Sequence, residues 1–149
     1  MTQTREPTVR CKYTFNDEVT VQPHNIKGRI SSAFYNEGDK EPTYLIEYAN
    51  KDRQTCRVSG IESRIQGQGR AMSNTLKWPV GEQLAFMEAG NVRQGICVGA
   101  LLTPDSTLYR IQSLDEKGEI TGEYLGEKDL EWRTSQAQNQ LTGSRKTGT

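Results

Sequence analysis

The side chains able to do chemistry are few in this chain and stand far apart. The single histidine, His24, lies in the run Gln22-Pro23-His24-Asn25 with no serine or cysteine nucleophile beside it. Covalent catalysis needs a base paired with its nucleophile, so His24 reads as a surface-turn residue. Cys11, Cys56 and Cys97 are widely spaced and show no CxxC pattern, and one histidine cannot form an HxxH pair. Structural zinc takes such ligands in clusters, and none is expected. Gly67-Gln68-Gly69 and the stretch from Gly95 to Gly99 lack the lysine and the strand-to-helix setting in which glycine loops hold phosphate. No catalytic residue, cofactor or metal is therefore expected.

Charge offers more. Lys27, Arg29, Lys51, Arg53 and Arg57 could gather into the basic patch that phosphate neutralisation requires, with Arg145 and Lys146 further on. Glu37, Asp39, Glu41, Glu47 and Asp52 are interspersed among them, so a solvated mixed-charge surface is the simpler reading. Lys27, Arg29, Arg53 and Arg57 stand as the nucleic-acid-binding alternative. Asp115, Glu116, Glu119, Glu123, Glu127, Asp129 and Glu131 have only Lys117 and Lys128 nearby. That cluster would repel phosphate and could dock a basic partner, including a second copy of the chain.

The balance of the 149 residues bounds these readings. Lysine plus arginine and aspartate plus glutamate stand at 19 each, so no global field draws the protein to nucleic acid or an anionic membrane. Residues 1–70 carry 11 basic and 9 acidic side chains, and residues 71–133 carry 6 and 10, which leaves the second half acidic. An apolar fraction of 33% and a mean hydropathy of −0.78 favour two small modules over one large core. No stretch approaches the roughly 20 apolar residues of a membrane span. The opening Met1-Thr2-Gln3-Thr4-Arg5-Glu6 has no apolar signal region, and a cytoplasmic, reducing location is expected.

The elements that must position these groups are strands. Alternating apolar residues bounded by turn signals predict strands over 15–21, 28–35, 44–48 and 54–58, then over 82–87, 94–101, 107–114 and 120–124. Turns fall at Asn36-Glu37-Gly38-Asp39, Asn50-Lys51-Asp52, Glu88-Ala89-Gly90-Asn91, Thr103-Pro104-Asp105-Ser106 and Asp115-Glu116-Lys117-Gly118. Short helical turns are expected at 59–65 and 125–130. Cys56 and Cys97 fall inside strands as small core residues. Residues 1–12 read as a polar arm able to pair through Val9, Cys11 and Tyr13, and residues 134–149 read as a disordered tail.

Shifted by 65 residues, the chain aligns with itself. Phe15 to Val21 falls on Val80 to Phe86, Tyr44-Leu45-Ile46 on Tyr109-Arg110-Ile111, and Glu62-Ser63-Arg64-Ile65 on Glu127-Lys128-Asp129-Leu130; with two further residues, Gly28-Arg29-Ile30 falls on Gly95-Ile96-Cys97 and Ala33 on Ala100. Two copies of one β pattern follow, at 13–66 and 78–133, joined by a linker at 67–77. Met72, Leu76 and Trp78 are the residues that could anchor that linker across both copies.

This pattern, carried by Phe15, Asp17, Val19, Gly28, Tyr44, Ile46 and Ile65 and again by Val80, Gly81, Leu84, Gly95, Tyr109, Ile111, Asp129 and Leu130, resembles the SH3-like small-barrel family, especially its Tudor-type and KOW-type branches. The resemblance implies an all-β protein of two SH3-like barrels in tandem from an internal duplication, and it implies binding. Tudor-like barrels hold methylated side chains in aromatic cages, and KOW-like ones touch RNA or proteins. Phe34, Tyr35, Tyr44 and Tyr48 are the cage candidates of the first copy, although alternation sets Tyr44, Ile46 and Tyr48 on one strand face, where core packing competes. The expectation is a non-catalytic adaptor that recognises a protein or peptide through Tyr35, Tyr44 and Tyr48 and through Glu123, Glu127 and Asp129. A nucleic-acid factor is the alternative, and an oligomeric enzyme with an interfacial pocket is the third reading.

Overall fold

The computed structural model describes residues 8–114 and 117–147, with side chains described as far as Thr142. Its elements are β1 (Thr8–Cys11), β2 (Glu18–Val21), β3 (Ile26–Asn36), β4 (Thr43–Ala49), β5 (Thr55–Ile61), a 3₁₀ turn (Glu62–Arg64), β6 (Ile65–Gln66), β7 (Met72–Thr75), β8 (Gln83–Glu88), β9 (Asn91–Leu102), β10 (Thr107–Leu114), β11 (Ile120–Gly126) and the helix α1 (Glu127–Thr147). The all-β expectation holds for the body of the chain. Alternation sets the faces: in β10, Tyr109, Ile111 and Ser113 are buried while Arg110, Gln112 and Leu114 are exposed. Ala89 and Gly90, both at positive φ (50° and 83°), make the two-residue turn that matches the twist of β8 and β9.

Nine strands form one curled sheet. The first half runs β6-β2-β3-β4-β5 and the second β8-β9-β10-β11, and the two are fused where Ala33–Asn36 of β3 pairs antiparallel with Leu102–Gly99 of β9. β1 and β7 form a separate two-stranded ribbon. Both junctions are centred on equivalent residues. Phe34 stands opposite Leu101, 67 positions on, and Val9 stands opposite Asn74, 65 positions on. These are the two offsets of the sequence alignment, so each junction is centred on a pair of residues that the alignment matches.

The interior repeats accordingly. Val19 and Leu84, Val21 and Phe86, Ile30 and Cys97, Ala33 and Ala100, Tyr44 and Tyr109, Ile46 and Ile111, and Ile65 and Leu130 are all buried, in one continuous core. Tyr13 meets Tyr44 edge-on (5.6 Å, 84°), and Trp78 meets Tyr109 likewise (5.0 Å, 83°), the arrangement that aromatic quadrupoles favour. Gly28 and Gly95 each lie under a β-branched side chain, Ile46 or Ile111, where a Cβ would come within 2.6 or 2.9 Å of its methyl carbon. β3 and β9 each carry a bulge, at Ser31 between Ile30 and Ser32 and at Val98 between Cys97 and Gly99. The bulge bends each long strand, so its first part serves its own half and its second reaches the other.

Three expectations are corrected. The second half does not end in a short helical turn, and the stretch after Thr134 is not disordered where described, because α1 continues to Thr147. Composition concealed this: Leu130 and Ala137 are fully buried and pack α1 along β8, and the guanidinium of Arg133 donates to the Met87 carbonyl at 3.3 Å. The 67–77 stretch is not a free linker, since it supplies β7 and buries Leu76. The arm expected over 1–12 enters the described residues as β1, and the turn at Asp115-Glu116 and the side chains of Arg145 and Lys146 lie outside them.

Candidate functional site

The first half shows how its charges are held. Glu18 on β2 stands opposite Arg29 on β3, Arg29 opposite Glu47 on β4, and Glu47 opposite Arg57 on β5. Two rungs are ion pairs, Arg29 to Glu18 at 3.4 Å and Arg57 to Glu47 at 3.2 Å. The outer face is thus a ladder of alternating sign across four strands. Of the four proposed phosphate-binding cations, Arg29 sits between two carboxylates and Arg57 beside one, Lys27 lies along β3 and Arg53 stands apart in the β4–β5 turn at φ 62°. The arrangement is the mixed-charge surface of the simpler reading.

The proposed aromatic contacts separate. Tyr44 has no exposed surface. Its hydroxyl donates to the Glu62 carboxylate at 2.5 Å and accepts from the Tyr13 N–H at 3.4 Å, while the Lys12 N–H also donates to Glu62. Burial first, and Glu62 after it, push the Tyr44 hydroxyl pKa far up, so it remains a donor at any physiological pH. Tyr44 is therefore corrected from partner contact to core pin. Tyr35 is half-buried, with its hydroxyl donating to the Asp39 carbonyl, and lines a cleft of about 460 Å³ between the halves with Arg10, Glu37, Lys40 and Val80. Tyr48 is half-buried in a different groove beside Lys27 and Arg29. The three tyrosines do not converge on one site.

The acidic residues stand at the end of the second half. Glu123 is exposed on β11, Glu127 opens α1, and Asp129 receives the Arg133 guanidinium on both carboxylate oxygens at 3.2 Å. Glu131 is paired with Lys77 at 2.7 Å. Acidic groups in the first turn of α1 complement its dipole, which gives Glu127 and Asp129 a structural reason to be there.

The cysteines are as quiet as their surroundings. Burial, opposed by a Tyr44 hydrogen bond and assisted by Glu62, pushes Cys11 up to about 11, and burial pushes Cys97 up to about 11 as well. Both are thiols at neutral pH and hence poor nucleophiles. Cys56 is only half-buried. His24 is exposed in its turn, on the rim of a cleft of about 510 Å³ between Val21, Ile26, Val58 and Ile61.

Sequence reasoning passed over the outer face of the second half. Side chains pointing away from the core there form two rows across four strands: Gln83, Ile96, Gln112 and Gly122, then Ala85, Gln94, Leu114 and Ile120. Ile96, Leu114 and Ile120 are 37%, 60% and 67% exposed. They line a shallow groove of about 420 Å³ whose other walls are the three glutamines, Gly95 and Ser113. Among the described residues no charged side chain lines it, and the Arg93 guanidinium reaches its border, donating to the Leu114 carbonyl at 3.0 Å. The available signal was strand phase: in 107–114 the buried set is odd-numbered, so Leu114 had to point outward.

No family model, no curated protein and no solved structure matches the chain. Among the described residues no helix is long and apolar enough to cross a membrane.

Proposed function

We propose that the chain is a non-catalytic adaptor that binds a protein or peptide partner on the outer face of its second half. The observation that carries this reading is the uncharged groove in which Ile96, Leu114 and Ile120 stand exposed side by side. Covering such a side chain completely stabilises a complex by about 1.5–3 kcal/mol, and none of the described lining residues carries a charge that would have to be desolvated. The glutamines offer donors and acceptors that fix the partner's orientation without repelling either sign of charge.

The architecture supports the same reading at family level. The order β6-β2-β3-β4-β5, with a 3₁₀ turn before the closing strand, is the arrangement that the SH3-like resemblance implies. We read the second half as a duplicate in which α1 replaces the closing strand. A peptide library selected against the immobilised protein tests the proposal. Selected peptides are expected to lose about tenfold or more in affinity for the L114K/I120K variant, the loss that about 1.4 kcal/mol produces. Equal binding to a folded variant overturns the reading.

A further inference from the structure

Among the described residues four strands of the curled sheet pair on one side only, β5, β6, β8 and β11; β6 has just two residues and β8 has α1 alongside it, which leaves β5 and β11 open. Among the described residues β5 pairs with β4 alone and β11 with β10 alone. Each is seven residues long, and neither contains a proline or a register shift, the devices that usually blunt an edge. We propose that the chain assembles with further copies of itself head to tail, β5 of one copy adding antiparallel to β11 of the next.

Charge selects the unlike edges. Around β5, residues 51–64 carry four basic and two acidic side chains; around β11, residues 117–129 carry two basic and four acidic ones. The net values are +2 and −2, so β5 against β5 or β11 against β11 brings like signs together, whereas β5 against β11 brings opposite signs together. The faces select the register. On β5 the outward residues are Thr55, Arg57, Ser59 and Ile61, and on β11 they include Ile120, Gly122 and Tyr124. The antiparallel register that overlaps both strands fully sets outward residues opposite outward ones: Ile61 meets Ile120 and Arg57 meets Tyr124.

Three large exposed apolar side chains, Ile61 at 39%, Ile120 at 67% and Tyr124 at 47%, thereby gain partners. A guanidinium beside a tyrosine ring adds a cation–π contact. Because the contact joins two different edges, each added copy presents another free edge until the assembly closes into a ring, and otherwise it grows as an open filament.

Sedimentation over roughly a hundredfold range of concentration reads the association by mass action. The wild-type weight-average mass is expected to rise with concentration, and that of Ile61→Glu to stay at one copy with an unchanged circular dichroism spectrum. Ile61 does not line the groove of its own copy, although in the assembly it meets Ile120 at the rim of the next copy's groove, so peptide affinity measured on the monomeric Ile61→Glu chain tests the adaptor reading separately. The register is read by oxidising a mixture of Ser59→Cys and Gly122→Cys chains, both in a Cys56→Ser background. A Cβ at Gly122 meets no atom closer than 3.5 Å, and the mixture is expected to give a cross-linked pair that neither variant gives alone. Should Ile61→Glu fail to fold, the cysteine chains decide alone. A wild type that stays monomeric throughout, a mixture without cross-links, or equal cross-linking of Ser59→Cys chains by themselves would overturn the proposal.

Discussion

Asp17 shows how much one buried carboxylate can organise. Its side chain is only 4% exposed, yet it accepts from the Thr14 N–H and the Arg70 N–H at 2.8 Å and from the Arg70 guanidinium at 2.9 Å. Burial alone would raise its pKa, but the three hydrogen bonds and the Arg70 charge together hold it below the ordinary carboxylate value. The folded protein therefore binds the proton less readily than the unfolded chain. Its contribution to stability is complete above the unfolded pKa of about 3.9 and is lost as pH falls through the lower folded value. Asp17→Asn is expected to cost about 1–3 kcal/mol at neutral pH, by urea midpoint, because an amide turns a donor toward donors. The gap to wild type should close at strongly acid pH, and a gap independent of pH would remove the carboxylate from the account. In the sequence Asp17 was visible as a pattern residue opening the first strand, but not its partner, 53 positions away.

At the scale of elements, the two halves solve one problem differently. A first strand in a curled sheet has a second edge to satisfy. β2 pairs that edge with β6, whereas β8 has α1 alongside it, with Arg133 donating to Met87. Ala137 sits at the contact with no exposed surface. Ala137→Glu should free the outer turns of α1 and lower stability by about 1–3 kcal/mol, read by urea midpoint, with faster amide exchange in β8 than in β2. Equal exchange in both strands would mean that α1 does not protect the edge. The strands and most turns were legible because alternation and turn residues are local signals. The helix was not, because its apolar face rests on Leu130, Ala137 and the half-exposed Leu141, and polar residues elsewhere on a helix carry no period. The groove was half-legible: the phase of β10 exposes Leu114, but only the pairing of β9, β10 and β11 gathers Ile96 and Ile120 beside it.

For the molecule as a whole, strand pairing across the halves means that the one continuous core is closed by residues of both. Ala33 and Ala100 are buried at the β3–β9 junction, and Val9 and Cys11 in the β1–β7 ribbon. The alignment of the chain with itself matched the two segments, but a comparison of equal segments cannot show that strands pair across them. Full-length protein is expected to unfold in a single calorimetric transition, and a fragment of residues 1–66 to show none and to be digested rapidly by protease. A fragment that melts cooperatively would make the halves separable domains.

The pairing of Val9 with Asn74 and of Phe34 with Leu101 also imposes an order in time. A ribosome releases the beginning of the chain first, and β1 then has no strand to lie against until β7 follows. The second part of β3 likewise waits for β9, with Ala33 uncovered. Contacts so distant along the chain are slow to form, and incomplete sheets left waiting are prone to adhere to one another. Synthesis that stalls between residues 66 and 102 should therefore yield a sticky nascent species, and the chain becomes safe only as its second long strand emerges.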